Sequence, residues 1–334
     1  MVVMRKRDVV LFSLVSAFCC LSVFSCSSQL ARGPQGVASY VDCAPGAVYS
    51  FSFGSSGQSP GQFRSPSSVS IDSFGNLLIA DTGNNRIQKF DSSGLFLSEF
   101  GGLGTGGGGL NGPTDAVENA LSIYVVDSRN ERVLEYDTEG RFLSVCLSAD
   151  DLPDSRRGFG PRKLAFSGTG YAFLSDVEAD AVVVLSRFWE PVSMVGGFGA
   201  AEGRFSDPLG LARGESEEIL VCDTGNKRVQ KLDSVGNPRG VLDFCSGRSL
   251  CEPVAVAVAP GGTFYLADAA ARRVLVFDAA GTVKCELPGA KGPFLVSPSA
   301  LAVSPKGLLY VVDGGADVVH VFKIHADARG SSSE

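Results

Sequence analysis

Six aspartates recur along the 334-residue chain at intervals of 45 to 49 residues. Carboxylate oxygens are the ligands that hard cations such as Ca²⁺ prefer, so a ring of them suggests a metal site. Each aspartate, however, ends an apolar segment and begins a polar turn, where backbone amides and an arginine can satisfy its oxygens. We therefore predict a structural role for this set and no metal site. The aspartates are Asp81, Asp127, Asp176, Asp223, Asp268 and Asp313, and the arginines five residues later are Arg86, Arg132, Arg228 and Arg273.

Three other charged residues stand apart from this repeated set. Asp115 and Lys163 each lie two residues after a proline, at equivalent positions of neighbouring repeats, and Arg162 precedes Lys163. Opposite charges at equivalent positions can hold a polar ligand or form a salt bridge with each other. Asp115, Arg162 and Lys163 are therefore the candidate ligand-binding or partner-binding residues, and a purely structural bridge is the alternative.

The repeat also defines the elements that must position these residues. A proline lies 14 or 15 residues before each aspartate, and proline suits the first residue of a strand because it lacks an amide hydrogen. Small and apolar residues alternate after the proline, and further apolar runs are separated by polar, glycine-containing turns. Strands without helices at this period indicate a repeat architecture. The prolines are Pro66, Pro113, Pro161, Pro208, Pro253 and Pro298.

These features resemble the NHL repeat, whose copies build a six-bladed β-propeller. The resemblance covers residues 48–324 and implies an all-β fold of six four-stranded antiparallel blades. Copies three and six depart from the pattern, because Ala181 and Val318 stand where the arginine is expected. A connecting-loop motif adds to the match: Phe53-Gly, Gly61-Gln-Phe63 and Pro66 recur as Phe198-Gly, Gly203-Arg-Phe205 and Pro208.

The two ends of the repeat region predict how the ring closes. The sixth copy ends at residue 324, directly after its third strand, while residues 48–54 precede the first copy and resemble the outer strand at residues 95–101. An open array would leave an unpaired sheet edge at each end. We therefore expect the N-terminal strand to complete the last blade as its outer strand.

The N-terminal segment has the features of an export signal. Basic residues at 5–7 precede an apolar run at 9–24, which is shorter than the roughly 20 residues of a membrane-spanning helix. Residues 23–26, Val-Phe-Ser-Cys, resemble a bacterial lipobox and predict acylation of Cys26; an ordinary cleaved signal and an uncleaved anchor are the alternatives. We predict a signal peptide at 1–25, a flexible tether at 26–47 and a disordered tail at 325–334. The expected location is the bacterial cell envelope, on the periplasmic side or at the outer membrane, with a lipid anchor in the membrane.

Charge and cysteine content constrain the partners and the compartment. The formal net charge is −7, and removal of residues 1–25 makes it −9 because three basic side chains and one acidic side chain are lost. Nucleic-acid binding relies on Lys and Arg that neutralise phosphates, so we expect no nucleic-acid partner. Cys245 and Cys251 enclose a five-residue loop, and an oxidising compartment favours a disulfide between them.

The chain offers few groups for catalysis. No histidine precedes residue 320, so a histidine-dependent site on the propeller axis is not expected. We predict no catalytic residue and no cofactor. The leading hypothesis is a monomeric, exported binding or scaffolding module whose disc face holds a protein partner or a small polar ligand. The alternative is a hydrolase or lyase that acts on a small polar substrate in the axial pocket.

Overall fold

The computed structural model describes residues 47–152, 158–243, 245, 251–288 and 292–324, and within these ranges the chain forms 24 β-strands. The predicted all-β fold is confirmed. The strands form six four-stranded antiparallel sheets, and the inner strand of each sheet contacts the inner strands of its two neighbours in a closed circle. Cys26, the predicted signal peptide, the predicted tail and the predicted tether up to residue 46 lie outside the described residues.

The first three blades each use four consecutive strands, from the axis outwards. Blade 1 contains β2 (Ser68–Ile71), β3 (Leu77–Asp81), β4 (Arg86–Phe90) and β5 (Phe96–Gly101). Blade 2 contains β6 (Pro113–Asn119), β7 (Ser122–Asp127), β8 (Arg132–Asp137) and β9 (Phe142–Ser148). Blade 3 contains β10 (Pro161–Phe166), β11 (Ala172–Asp176), β12 (Ala181–Leu185) and β13 (Pro191–Gly196).

The next two blades follow the same order, and the last one takes its outer strand from the N-terminal side of the chain. Blade 4 contains β14 (Pro208–Arg213), β15 (Ile219–Asp223), β16 (Arg228–Leu232) and β17 (Pro238–Leu242). Blade 5 contains β18 (Pro253–Val258), β19 (Phe264–Asp268), β20 (Arg273–Phe277) and β21 (Val283–Leu287). Blade 6 contains β22 (Pro298–Val303), β23 (Leu308–Asp313), β24 (Val318–Ile324) and β1 (Ala47–Phe53).

The pairing of β1 with β24 confirms the predicted closure. Phe51 lies opposite Val321 and Ser52 opposite His320 in an antiparallel register. The strand begins at Ala47, one residue before the predicted boundary. The Phe53 ring packs 5.2 Å from the Phe90 ring, so β1 also contacts blade 1. The circle is therefore held by main-chain hydrogen bonds within blade 6 and by aromatic packing against blade 1.

The hydrophobic core lies between adjacent blades. Leu78 and Ala80 of blade 1 pack with Ile123 and Val125 of blade 2, and all four are fully buried. The second strand of each blade is covered on both faces, which explains its continuous apolar sequence. Near the axis the inner strands come closest, and a Cβ atom at Gly210 would lie 2.7 Å from Ala255 Cα. Small residues on the inner strands are therefore a steric requirement of the ring.

One prediction about strand boundaries is wrong. Five of the six repeat prolines are the first residue of a strand, but β2 begins at Ser68, two residues after Pro66. In the other blades the proline pairs with the repeat aspartate before a register shift, as Pro113 does with Asp127. In blade 1 the ladder starts only after this position, with Ser68 opposite Ala80.

Candidate functional site

The repeat aspartates stabilise one face of the disc. This face carries the turns between the second and third strands and the loops that lead into the inner strands. We call it the turn face. In blade 1, Asp81 Oδ1 accepts the Arg64 N–H at 2.7 Å, and Asp81 Oδ2 accepts Arg86 Nε at 2.8 Å. The Asp81 side chain is fully buried, and 10% of the Arg86 side chain is exposed. The equivalent arginine-to-aspartate distances are 2.8 Å for Arg132 and Asp127, 2.6 Å for Arg228 and Asp223, and 3.2 Å for Arg273 and Asp268.

The arginines also hold loop carbonyls, which the sequence did not reveal. Arg228 donates to the carbonyl oxygens of Ala200, Ala201 and Arg204 as well as to Asp223. A glutamine two residues after the arginine adds a bond to the same carboxylate in two blades, with Gln230 Nε2 2.9 Å from Asp223 Oδ2. The carboxylate oxygens of these arginine-paired aspartates are therefore hydrogen-bonded by protein groups, and the role of these aspartates is structural.

Copies three and six hold the aspartate without an arginine, and they do so differently. Asp313 accepts the N–H groups of Val296 and Ser297, and His320 Nε2 lies 3.8 Å from Asp313 Oδ2. Burial alone would raise the pKa of Asp313, but the nearby His320 and the hydrogen bonds from the backbone outweigh it and lower this pKa below its ordinary value. In contrast, burial raises the pKa of Asp176, whose partners among the described residues are backbone amides.

Asp115 and Lys163 meet at the axis, as the repeat positions predicted, in the geometry of a bridge between blades. Lys163 Nζ donates to Ser67 O at 2.6 Å and to Thr114 O at 3.0 Å, and it lies 3.8 Å from Asp115 Oδ1. Asp115 in turn accepts the Leu164 N–H at 2.9 Å. Burial lowers the pKa of Lys163, and the nearby Asp115 opposes that shift. Both charges are thus committed to bonds that join blades 1, 2 and 3.

Arg162 differs from Asp115 and Lys163 because most of its guanidinium N–H groups bond no described residue. Arg162 Nη1 donates to Ser128 Oγ at 3.1 Å, which is its one side-chain hydrogen bond within the described ranges. The side chain lines two neighbouring cavities of the turn face. The axial cavity, of about 280 Å³, is also lined by Ser67, Thr114, Glu252 and Ser299. The lateral cavity, of about 730 Å³, lies over blades 3 to 5 and is also lined by Asp207, Lys227, Cys251 and Glu252.

Glu252 is a site residue that the sequence analysis missed. It is exposed, and it lines both cavities together with Arg162. Glu252 directly precedes Pro253, and Asp207 and Ser297, which also line these cavities, directly precede Pro208 and Pro298. The sequence signal for these cavity-lining residues is therefore their position directly before a repeat proline.

A third axial space lies further along the axis, beyond Lys163. This cavity of about 220 Å³ is lined mainly by small and apolar residues of the inner strands, with Asp115 and Lys163 at its edge. Because Lys163 lines this cavity and the axial cavity, its side chain lies at the boundary between them. Within the described part of the chain, no three His, Cys, Asp or Glu side chains lie close enough to hold a metal ion.

The described cysteines and the described histidine do not line the axial cavities. Cys245 and Cys251 are joined by a disulfide, with their Cα atoms 5.8 Å apart. Cys146 and Cys222 are free thiols. Burial, followed by the charge of Glu135, raises the pKa of Cys146 to about 12, so its thiol stays protonated near neutral pH. His320 is buried in β24, where Nδ1 bonds Ser52 Oγ at 2.7 Å.

Comparison with known proteins identifies the repeat. The NHL repeat family model matches residues 63–90 and 205–232, which end with the third strands of blades 1 and 4. The chain is 42% identical over 57 residues to Protein brain tumor of Drosophila melanogaster and 38% identical over 69 residues to E3 ubiquitin-protein ligase TRIM32 of Homo sapiens. These segments are 17% and 21% of this chain but only 6% and 10% of those proteins. The chain therefore spans a small part of the relatives that it matches.

Several solved structures share the fold. A protein of unknown function from Bacteroides thetaiotaomicron has a TM-score of 0.64 at 13% identity, covering 84% of this chain and 76% of that one. Calcium-binding regucalcin from Agrobacterium tumefaciens has 0.59 at 14% identity, covering 83% and 96%. Virginiamycin B lyase from Staphylococcus aureus has 0.57 at 12% identity, covering 77% and 80%, and a catalytically inactive histidine-to-alanine variant of this lyase also matches. At these identities the likeness concerns the fold alone.

Within the described residues, no helix is both long and apolar enough to cross a membrane.

Proposed function

Because the chain is a six-bladed β-propeller that carries NHL repeats, we propose that it is a binding or scaffolding module whose ligand contacts the turn face. Propellers of this kind commonly mediate protein binding. The ligand is a protein partner or a small polar molecule. It contacts the axial and lateral cavities, and Arg162 is the residue that anchors it.

The observation that carries this proposal is the hydrogen bonding of the Arg162 guanidinium and its position in the two cavities. The other turn-face arginines described above donate to a carboxylate and to loop carbonyls or a second carboxylate. Among the described residues, the Arg162 guanidinium has one hydroxyl partner, and it lines two cavities. A guanidinium recognises planar anions with paired N–H donors, so the ligand presents a carboxylate to Arg162. Glu252 lines both cavities too and suits a hydrogen-bond donor or a positive charge on the same ligand.

The test compares capture by two arginine variants. The chain from Cys26 onwards is immobilised, and envelope extracts are passed over the wild type, Arg162→Ala and Arg187→Ala. Arg187 is the control because its guanidinium stacks on Phe188 and lines neither cavity. A protein or metabolite that is retained by the wild type and the control but lost with Arg162→Ala supports the proposal. Equal retention by all three proteins would contradict it.

The lyase or hydrolase alternative has less support. The axis is occupied by the Lys163 bridge and by small apolar side chains, and the described acidic residues form no metal cluster. The Staphylococcus aureus lyase is inactive when a histidine is replaced, whereas the one histidine in the described part of this chain is buried in β24. A binding role therefore fits the turn face better.

We further propose that the protein is exported, anchored by a lipid on Cys26, and active as a monomer without nucleic acid. The lipobox-like residues 23–26 and the Cys245–Cys251 disulfide support export. The absence of a nucleic-acid partner is supported by the acidic net charge and by the repeat arginines, whose side chains are only 10–19% exposed and bonded to aspartates. Cys26→Ser should release the protein from the membrane fraction, and membrane retention of this variant would refute lipid anchoring.

A further inference from the structure

Blade 3 contains the repeat aspartate without its arginine. Asp176 lies opposite Ala181 in the same register that pairs Asp81 with Arg86 and Asp223 with Arg228. In the blades that have the arginine, its guanidinium binds the Oδ2 atom of the aspartate. In blade 3, the three backbone N–H groups that reach Asp176 all donate to Oδ1. Asp176 Oδ2 therefore lacks a hydrogen bond or ion pair from any described residue.

A cavity lies beside Asp176 and Gly196, the two residues that pair with Ala181 in the sheet. It measures about 220 Å³, several times the roughly 30 Å³ that a water molecule takes up in the liquid. Asp176, which is 1% exposed, lines it together with Phe159 and Met194. Arg204 lines it as well, but its Nη1 donates to Gly196 O at 2.8 Å, and no Arg204 nitrogen comes within ion-pair distance of Asp176. The cavity thus combines a carboxylate oxygen that no described residue bonds with walls of mixed polar and apolar character, which include the Phe159 ring.

We propose that this cavity is a binding site for a guanidinium group, supplied by an arginine side chain of a partner or by a small guanidinium compound. A buried carboxylate without a cation is unfavourable, so a cationic ligand gains more here than a neutral one. The flat faces of a guanidinium tolerate apolar contact and stack on aromatic rings such as Phe159, while its N–H groups bind the carboxylate in the plane. Four other blades of this molecule hold the equivalent carboxylate with a guanidinium, which is the reason to expect this group over an ammonium.

The site is separate from the turn-face cavities that contain Arg162, since the two sets of lining residues do not overlap. The Arg162→Ala variant should therefore bind guanidinium compounds like the wild type. This separates failure of the present proposal from failure of the proposed function.

The experiment is a calorimetric and NMR titration of the chain from Cys26 onwards with N-acetyl-L-arginine amide at low salt and neutral pH. N-acetyl-L-lysine amide is the matched ligand control. We expect saturable binding of the arginine compound and at least fivefold weaker binding of the lysine compound. Asp176→Asn should weaken binding of the arginine compound at least tenfold. Absence of saturable binding to the wild type, or equal binding of the two compounds, would overturn the proposal.

A second variant keeps the test valid if Asp176→Asn folds poorly. Ala181→Arg places a guanidinium in the cavity in cis, as in blades 1, 2, 4 and 5, and should abolish binding while raising Tm. Val318→Arg introduces the same side chain at the equivalent position of blade 6 and should leave binding unchanged. Undiminished binding by Ala181→Arg would refute the site.

Two further arms identify the source of the group. Binding of a glycine-flanked arginine peptide at least tenfold tighter than the amide would assign the site to a protein partner, and equal affinity would assign it to small guanidinium compounds. Binding that appears only after Arg156 and Arg157 are replaced by alanine would mean that the chain supplies its own guanidinium, and the proposal of an external ligand would then be wrong.

Discussion

At the scale of single residues, one buried carboxylate is accommodated in three ways. Four copies pair it with an arginine, and copy six places His320 near it. In copy three, the described residues that bond it do so through backbone amides. A buried charge is tolerated when paired and fully hydrogen-bonded, and removing one partner is strongly unfavourable. The copies are therefore not energetically equivalent, although each aspartate pairs with the residue five positions later in its sheet.

Replacing Arg228 by alanine should destabilise the propeller by about 3–5 kcal/mol, because Asp223 would be left as an unpaired buried charge. Three loop carbonyls would lose their donor as well. Arg141→Ala is the matched control, since Arg141 pairs with Asp137 while 75% of its side chain is exposed, and little change is expected. Urea denaturation followed by circular dichroism measures both. Similar losses for the two variants would refute the structural importance of the buried pair.

The two arginine-free aspartates should respond to pH in opposite directions. The raised pKa of Asp176 means that the folded state binds this proton more tightly than the unfolded state, so its contribution to stability falls as pH rises above the ordinary value of 3.8. Asp176→Asn should thus gain stability relative to the wild type between acidic and neutral pH.

Asp313 has a lowered pKa, so its contribution to stability is present above pH 3.8 and is lost as pH falls. Asp313→Asn should be less stable than the wild type at neutral pH, with the difference shrinking in acid. Thermal unfolding of both variants and the wild type from pH 3 to 7 measures these differences. If the stability of each variant changes with pH in parallel with that of the wild type, the assigned pKa shifts are wrong.

Sequence reasoning at this scale identified the residue types but not their surroundings. The loss of arginine at Ala181 was visible, whereas the cavity beside Asp176 depends on the neighbouring loops and on β13. Likewise, the positions of Asp115 and Lys163 predicted their proximity, but the carbonyls of Ser67 and Thr114 that bind the ammonium belong to other blades. Backbone acceptors carry no residue-type signal, so only the folded chain reveals them.

At the scale of elements, the strands could be predicted because their period and polarity repeat. The six aspartates fixed the end of each second strand, and the resemblance of residues 48–54 to an outer strand predicted the pairing of β1 with β24. The start of β2 was misplaced, since a proline near a strand does not determine where the ladder begins. Cavity positions on the turn face were beyond prediction because they depend on loops of unequal length.

Removing residues 1–53 should expose the outer edge of β24 and the apolar residues that β1 covers. An unpaired edge next to apolar surface promotes association. We expect soluble aggregates or insoluble protein, measured by size-exclusion chromatography with light scattering. The matched control lacks residues 1–45 and keeps β1 whole, and it should remain monomeric and folded. A monomeric, cooperatively folding protein without residues 1–53 would show that closure is dispensable.

At the scale of the whole molecule, the Lys163 side chain joins three blades near the axis. The Lys163 ammonium of blade 3 binds carbonyls of blades 1 and 2 and lies beside Asp115, between two axial cavities. At Gly210 the inner strands approach too closely to leave room for a side chain. A long side chain from one blade is therefore an effective way to join its neighbours at the centre.

A double-mutant cycle tests this bridge. Lys163→Met and Asp115→Asn should each destabilise the protein, Lys163→Met by about 3–5 kcal/mol, because each leaves a buried partner unmatched. The double variant should lose less than the sum, with a coupling of about 0.5–3 kcal/mol between the two sites. High salt should change the coupling little, since the pair is shielded from solvent. Strictly additive losses in chemical denaturation would mean that the two charges do not interact.

The pairing of β1 with β24 also bears on how the chain acquires its fold during synthesis. The first strand of the propeller must wait for the last, so ring closure cannot occur until residue 324 has left the ribosome or the translocation pore. Such distant partners make folding slow, and the unfinished chain presents open strand edges in the meantime. Nascent chains that terminate before β24 would lack the partner of β1 altogether, which makes them natural targets for chaperones and proteases.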